Sequence, residues 1–172
     1  MRRNFKEKLT DIKAFAFDVD GVLSMTQVPM FPNGEPMRTA NIKDGYAIQL
    51  AIKLGYHVAI ITGGNTEAIK ARYTNLGVKD IFMVQSNKVN AFELWKESHG
   101  LETNQILYMG DDMPDLPILK RVGVPTCPAD ATRDVQAVCD YISPYNGGQC
   151  CARDVIEQVL RVNDQWGKDL DW

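Results

Sequence analysis

The sequence predicts an α/β fold built on a doubly wound, mainly parallel sheet. Short apolar runs alternate along the chain with segments of helical periodicity, and several of these runs stop abruptly at a carboxylate or a hydroxyl. Strands that alternate with helices in this way form parallel sheets with right-handed crossovers. A chain of 172 residues is long enough for one domain with an adequate core, so we expect residues 1–172 to form a single domain.

The first predicted strand begins at Ala14 and stops at Asp18. Short apolar runs rich in aromatic residues are typical of a strand that is buried on both faces. Asp18 would emerge at the carboxyl end of this strand, where ligands bind in an open α/β sheet. Asp20 is expected to face the same mouth, and Gly21 allows the backbone to turn there. An ordinary Asx turn explains this stretch as well, unless other parts of the chain support chemistry.

Residues 25–40 are predicted to form a protruding β-hairpin. Asn33-Gly34 lies between two extended runs, which is a strong hairpin signal, and the nearby prolines indicate ragged or edge pairing. The hairpin carries Val28, Met30, Phe31 and Met37, which are more apolar side chains than a hairpin can bury by itself. It either contacts another subunit or folds back on its own domain, and periodicity does not decide between the two.

The remaining elements follow from apolar spacing and from turn residues such as Gly55 and Gly77. Helices are predicted over residues 44–54, 65–76, 88–98, 114–121, 134–138 and 152–163. Strands are predicted over residues 57–61, 81–84, 105–109 and 122–126, the last of them as the final or an edge strand. The tail at residues 164–172 has no periodicity, and neither it nor the basic start nor Gln149-Cys150-Cys151 is given a role.

Charge and cysteine usage limit the function classes. The formal net charge of -3 disfavours broad nucleic-acid binding, which needs clustered basic residues. No segment has the pattern of a signal peptide or the length of a membrane span, so we expect a cytoplasmic protein without membrane contact. The four cysteines show no metal-site or disulfide spacing, and we expect reduced thiols.

Polar side chains end three of the predicted strands, and they indicate a metal-dependent site. Thr62 follows the second strand, and three carboxylates follow the fourth, at Asp111, Asp112 and Asp115. Clustered carboxylates repel each other unless a cation is present, and an all-oxygen ligand set favours Mg²⁺ shared with a phosphate. Lys88 opens a helix, where a cation opposes the helix dipole, so it either points away or is recruited to an anion.

These residue types suit phosphoryl transfer through a covalent intermediate. Asp18 is the candidate nucleophile that forms an acyl phosphate, and Asp20 is the candidate acid/base for the leaving oxygen and for water. Thr62 and Lys88 are candidates for holding the phosphoryl oxygens, whose charge spreads in the transition state.

The ordered motifs resemble those of haloacid dehalogenase superfamily phosphatases. They are Asp18-Val19-Asp20-Gly21-Val22, Thr62-Gly63, Lys88 and Gly110-Asp111-Asp112. The resemblance implies a Rossmann-like fold of that superfamily, with Asp18 as nucleophile and Asp20 as acid/base. It also implies Mg²⁺ bound by Asp18, the Asp20 carbonyl and Asp111, with Asp112 and Asp115 beside the metal and phosphate held by Thr62, Gly63 and Lys88.

A closer resemblance covers nearly the whole chain after residue 13, to the 3-deoxy-D-manno-octulosonate (KDO) 8-phosphate phosphatases. The matching stretches include Asn41-Ile42-Lys43-Asp44-Gly45-Tyr46 and Gln85-Ser86-Asn87-Lys88. The resemblance implies a hydrolase of KDO and lipopolysaccharide biosynthesis, and a homotetramer in which the hairpin closes a neighbour's site. It further implies substrate contacts from Arg72, Asn41, Lys43 and Asp44, and for these four a structural role is an equal alternative.

Two departures and three alternatives remain. The chain has Gln149-Cys150 where these enzymes often have Arg-Gly, and it has Gly64 where relatives acting on nine-carbon sugar acids often carry glutamate. Because those relatives also resemble this chain, the alternative substrate is an acylneuraminate or deaminoneuraminate 9-phosphate. Gly64 favours the eight-carbon acid over it. A phospho-accepting receiver module is disfavoured because it has no use for Asp20, and the intact motif set disfavours a silent scaffold. The segments between motifs, of roughly 20 to 25 residues, are too short for a cap domain, so the fold is expected to be capless.

Overall fold

The structure is a computed structural model, and it describes residues 4–84 and 86–168. Within those ranges six strands form one sheet in the order β3-β2-β1-β4-β5-β6, and every neighbouring pair is parallel. The strands are β1 (Ala14–Phe17), β2 (His57–Ile61), β3 (Asp80–Phe82), β4 (Ile106–Met109), β5 (Val124–Cys127) and β6 (Tyr141–Ile142). The predicted doubly wound parallel sheet is confirmed.

Helices cover both faces of this sheet. They are α1 (Phe5–Lys8), α2 (Ile42–Lys53), α3 (Glu67–Asn75), α4 (Lys88–Ser98), α5 (Leu116–Leu119), α6 (Arg133–Gln136) and α7 (Cys151–Val162). Phe15 and Phe17 of β1 belong to the apolar cluster that includes residues of α2, α3 and α7, while Ala14 and Ala16 belong to the cluster on the α4 face. This alternation explains why β1 is apolar throughout, since a strand between two helical layers has no solvent face.

Two predicted elements differ from the structure. Residues 122–126 were expected to form the last or an edge strand, and this is wrong, because β5 lies between β4 and the two-residue strand β6. A strand as short as β6 has too few residues for a periodic pattern. The helix predicted over 114–121 starts as a 3₁₀ turn at Met113–Asp115 and continues as α5, in keeping with the two prolines near its start.

The hairpin of residues 25–40, hereafter the hairpin rim, is paired sparsely. A single antiparallel bridge joins Met30 to Pro36, and Gly34 takes the positive φ of 85° that the turn requires. Proline has no N–H to donate to a ladder, so the prolines leave little regular pairing. At the base of the rim, Ser24 accepts a hydrogen bond from the Thr39 N–H (2.9 Å), which ties the two ends of the segment together.

The ends of the described chain pack onto the domain. Phe5 stacks on Tyr141 with ring centroids 4.5 Å apart, and Trp166 lies 5.0 Å from the Arg153 guanidinium. The predicted tail and basic start extend beyond these residues, and residues 1–3 and 169–172 lie outside the described residues. Among the helices described, none is long and apolar enough to cross a bilayer.

Candidate active site

The carboxyl ends of β1 and β4 and the start of α4 bring Asp18, Lys88 and Asp115 into direct contact. Lys88 Nζ donates hydrogen bonds to Asp18 Oδ2 (2.6 Å) and Asp115 Oδ1 (2.8 Å). Asp18 and Lys88 are both 7% exposed and Asp115 is fully buried. Lys88 is therefore recruited to anions, which resolves the two possibilities that its position at a helix start left open. Charges removed from water this completely are tolerable only when they are paired and hydrogen-bonded.

Asp115 fixes the lysine through contacts that the sequence did not reveal. Its Oδ1 atom also accepts a hydrogen bond from the Tyr108 hydroxyl (2.6 Å), and its Oδ2 atom accepts one from the Asp111 N–H (3.1 Å). Tyr108 lies in β4 and is fully buried. A buried tyrosine hydroxyl needs a polar partner. That requirement is the one sequence signal that could have identified Tyr108 as part of the site. Asp115 thus holds Lys88 in place between its own carboxylate and that of Asp18.

Asp111 completes an acidic group that can bind a metal ion. Asp18, Asp111 and Asp115 each offer an oxygen, and these oxygens lie within 4.8 Å of one another. A Cβ atom at Gly21 would stand 2.0 Å from Asp111 Oδ2, so only glycine allows the β1 loop and this carboxylate to approach. The all-oxygen donor set fits a hard cation such as Mg²⁺. Asp115 accepts three hydrogen bonds, from Lys88, Tyr108 and the Asp111 N–H, whereas Asp18 accepts two, from Lys88 and the Val19 N–H. We therefore expect Asp18 and Asp111 to be the side-chain ligands.

Lys88 alone does not balance the three carboxylates of this group. Burial raises the pKa of Asp18 well above its ordinary value, the Asp115 carboxylate raises it further, and Lys88 opposes both effects. Burial, together with the charges of Asp18 and Asp115, raises the pKa of Asp111 to about 7. A divalent cation would offset the repulsion that raises these pKa values.

Thr62 and Gly63 lie at the same edge of the sheet, directly after β2. The Thr62 N–H donates to the Phe82 carbonyl (2.9 Å), which fixes the residue to the neighbouring strand, and the Thr62 hydroxyl oxygen accepts from the Gly64 N–H (3.0 Å). The hydroxyl proton is then available for an anion. Thr62 and Gly63 line one pocket of about 410 Å³ together with Asp18, Lys88 and Asp111. The polar strand ends predicted from sequence therefore meet at a single mouth.

Asp20 faces this pocket, but its carboxylate is engaged by an arginine that the sequence analysis did not select. Arg38 Nε donates to Asp20 Oδ1 (2.7 Å) and Arg38 Nη2 donates to Asp20 Oδ2 (2.9 Å), which is a two-pronged ion pair. Arg38 comes from the hairpin rim. In sequence it stood only as one member of an extended run, because nothing in the spacing connects residue 38 with residue 20.

The four predicted substrate contacts lie away from this pocket within the described chain. Asn41 caps α2 by accepting from the N–H groups of Lys43 and Asp44, and Arg72 donates to the Asn41 carbonyl (3.5 Å). Lys43 lines a different hollow, of about 450 Å³, alongside Arg153 of α7. The volume of a hollow therefore does not tell which hollow is the active site. The roles of these four residues in binding substrate stay predictions.

Asp44 joins two helices. It is 2% exposed, and its Oδ1 atom accepts from the Arg153 N–H in the first turn of α7 (2.7 Å). Burial raises the pKa of Asp44 to about 6, against the lowering effect of hydrogen bonds from the backbone of Arg153 and Cys150. In this chain Asp44 binds the start of α7.

Asp112 and the late glycine loop border the site. Asp112 is exposed, lines the pocket and accepts from the Met113 N–H (2.8 Å). A Cβ atom at Gly147 would stand 2.1 Å from the Gly21 carbonyl oxygen, so the glycine loop packs directly behind the β1 loop. Cys150, which follows Gln149 where the resembling enzymes often have Arg-Gly, accepts a hydrogen bond from Asn41 Nδ2 (3.4 Å). The departure at Cys150 thus lies at the junction of α2 and α7.

Comparison with known proteins agrees with this arrangement. The family model for haloacid dehalogenase-like hydrolases matches residues 78–149. The 3-deoxy-D-manno-octulosonate 8-phosphate phosphatase of Escherichia coli is 35% identical over 153 residues, which is 89% of this chain and 81% of that protein.

Solved structures of phosphatases with the same name also resemble this chain. The 3-deoxy-D-manno-octulosonate 8-phosphate phosphatase of Yersinia pestis superposes with a TM-score of 0.90 at 30% identity, covering 94% of this chain and 87% of that one. The Moraxella catarrhalis phosphatase of the same name, in complex with a magnesium ion, a phosphate ion and KDO, superposes with a TM-score of 0.87 at 32% identity, covering 92% of this chain and 91% of that one.

Proposed function

This chain belongs to the haloacid dehalogenase-like hydrolases, and we propose that it hydrolyses KDO 8-phosphate to KDO and phosphate with Mg²⁺ as its cofactor. The observation that carries the proposal is the contact of Lys88 with Asp18 and Asp115, beside Asp111, in one pocket. A nucleophilic carboxylate, a buried cation and an acidic metal group in this arrangement suit phosphoryl transfer.

The reaction proceeds in two displacements at phosphorus. An Asp18 oxygen attacks the phosphorus and forms an aspartyl phosphate, while Asp20 gives a proton to the departing sugar oxygen. Water then attacks the same phosphorus, Asp20 takes a proton from that water, and the Asp18 carboxylate is restored as phosphate leaves. When bound, Mg²⁺ supplies positive charge that lets one anion approach another.

The other residues of the pocket hold the phosphoryl group. Lys88 donates from Nζ to phosphoryl oxygens, and Asp115 and Tyr108 keep that amine in position. Thr62 and the Gly63 backbone are the further phosphate contacts, since both residues line the same pocket as the acidic group. Asp112 is exposed at the mouth and is suited to holding water near the metal.

We further propose a homotetramer in which the hairpin rim of one subunit covers the pocket of another. The rim exposes Met30 and Phe31 by 66% and 44%, and contact with a neighbour would remove this apolar surface from water. In such an assembly Asn41, Lys43, Asp44 and Arg72 remain candidates for substrate contact. We also propose that residues 1–172 form one domain and that the protein is cytoplasmic. The four free cysteines suit a reducing compartment.

Phosphate release from a panel of phosphate esters tests the function. KDO 8-phosphate should be hydrolysed fastest with Mg²⁺, an acylneuraminate 9-phosphate and hexose phosphates more slowly, and none of them after chelation. Equal rates on all esters would contradict the named substrate and leave the reaction class standing.

Asp20→Asn tests the mechanism separately. This variant should accumulate phosphorylated Asp18, detected after acid quenching as a mass increase on the peptide that contains Asp18, because the water attack lacks its base. Unaltered turnover would remove Asp20 from the mechanism.

A further inference from the structure

The fork formed by Arg38 and Asp20 is a complete carboxylate-binding site at the edge of the pocket. Two parallel hydrogen bonds, of 2.7 Å and 2.9 Å, join the guanidinium to both oxygens of one carboxylate. Such two-pronged pairing selects the planar shape of a carboxylate as well as its charge. The Arg38 side chain is only 13% exposed, whereas that of Asp20 is 51% exposed. The cation is therefore the fixed partner and the aspartate is the accessible one.

The position of Arg38 depends on the absence of a side chain at residue 64. A Cβ atom at Gly64 would lie 3.0 Å from Arg38 Nη2 and 2.8 Å from Ile69 Cδ1. Gly64 adjoins Gly63 of the pocket wall, and its carbonyl accepts from the Val84 N–H (3.1 Å), which holds the loop in place. Gly64 thus provides the space in which the guanidinium lies beside the pocket.

Catalysis requires Asp20 to be released from this pair. An acid/base must reach the leaving oxygen and then water, and a fork that occupies both of its oxygens competes with that task. If Asp20 left without replacement, a largely buried guanidinium would lose its anion, which is costly. A second carboxylate that took the place of Asp20 would remove this cost.

We propose that Arg38 is a specificity-determining residue that binds the carboxylate of the sugar-acid substrate, with Asp20 occupying its fork until substrate arrives. This inference rests on the proposed function. The carboxylate of a sugar acid phosphorylated on its terminal carbon lies at the other end of the molecule from the phosphate. With the phosphate bound at Asp18 and Lys88, that carboxylate has to be bound away from both residues, and Arg38, paired with Asp20 at the edge of the pocket, offers such a place. Substrate binding then frees Asp20 for its work.

The test compares KDO 8-phosphate with arabinose 5-phosphate, a primary sugar phosphate without a carboxylate. The ratio of the two kcat/KM values is measured with Mg²⁺ for the wild-type protein and for Arg38→Gln. We expect the ratio to fall by about 10- to 100-fold in Arg38→Gln, the size of a lost charge-assisted hydrogen-bond pair. Arg38→Lys keeps the charge without the fork and should lose part of the ratio. Gly64→Ala should also lower it, because the added methyl group displaces the guanidinium.

Arg121→Gln is the matched control, because Arg121 is an exposed arginine that pairs with Glu93 and should keep the wild-type ratio. An unchanged or increased ratio in folded Arg38→Gln would overturn the inference and leave the proposed function intact. A wild-type protein that does not prefer the carboxylate-bearing ester would overturn the proposed substrate, and the role of Arg38 with it. Circular dichroism of each variant separates loss of fold from loss of selectivity.

Discussion

Two parts of the pocket are held by different kinds of contact. At the pocket floor, formed by Asp18, Lys88, Asp111 and Asp115, hydrogen bonds within the chain fix the buried charges of Asp18, Lys88 and Asp115. Along the hairpin rim, one bridge orders the backbone, apolar side chains face outward, and Arg38 reaches back to the site. The floor is suited to chemistry that any phosphate ester needs, and the rim to choosing among esters. Reaction class and substrate choice should therefore respond to different mutations.

The largest effect is expected where a floor charge is removed. Lys88→Met leaves Asp18 and Asp115 buried without their cation, so the free energy of unfolding should fall by about 3–5 kcal/mol. Loss of a donor to the phosphoryl group should lower kcat by about 10²–10³. Urea denaturation and phosphate release measure the two effects. Lys96→Met, which removes a more exposed lysine paired with Glu93, is the control and should change neither by much. A fully active Lys88→Met protein would show that the floor does not need this charge.

Asp111 sharpens the comparison through pH. Because its pKa is raised from 3.8 to about 7 by burial and by Asp18 and Asp115, the folded metal-free protein binds this proton more tightly than the unfolded chain. Metal-free stability should therefore fall as pH rises from about 4 to about 7 and level off above that range. Asp111→Asn should flatten this slope and raise the metal-free melting temperature near neutral pH by a few degrees.

The same variant should lose the stabilisation that Mg²⁺ gives the wild type. Melting curves with Mg²⁺ and with chelator, recorded at several pH values, measure both effects. A wild-type melting temperature that did not respond to Mg²⁺ would contradict the assignment of Asp111 as a ligand.

Tyr108→Phe removes one of the contacts that fix the floor. Its hydroxyl donates to a buried carboxylate, so the free energy of unfolding should fall by about 1–3 kcal/mol. The loss in kcat should be about tenfold or less, since Lys88 and the Asp111 N–H still hold Asp115. Tyr56→Phe is the matched control, because its hydroxyl bonds to the neutral Gln165 side chain and the expected loss is smaller. Equal losses in the two variants would show that Asp115 gains nothing special from Tyr108.

The smallest effect on folding is expected at the rim. Phe31→Asp should leave the free energy of unfolding of the monomer within about 0.5 kcal/mol, since Phe31 is exposed in the single chain. It should weaken subunit association, which light scattering coupled to size exclusion measures. Leu94→Asp, at an exposed leucine of α4, should keep the wild-type assembly. A wild-type monomer, or an unaffected assembly in Phe31→Asp, would contradict the proposed hairpin contact.

What could be predicted from sequence follows the same division. Asp18, Thr62 and Asp111 were found because parallel strands bring their carboxyl ends to one edge, so position in the chain fixes position in space. Tyr108 and Arg38 were missed because their importance depends on which side chain each touches, and spacing carries no such information. The strand β6 was missed because two residues give no periodicity. The sparse pairing of the hairpin rim was predicted from Pro29, Pro32 and Pro36.

The all-parallel sheet also constrains how the protein is made. A parallel neighbour is separated in sequence by a crossover, so β1 has no strand to pair with until β2 at residue 57 has left the ribosome. Asp111 and Asp115 are made much later, and α7, which shares an apolar cluster with Phe15 and Phe17, is made later still. A nascent chain therefore carries Asp18 beside an uncovered apolar strand until the later strands and α7 have been made. Early termination before residue 151 would release a product prone to aggregation rather than a smaller enzyme.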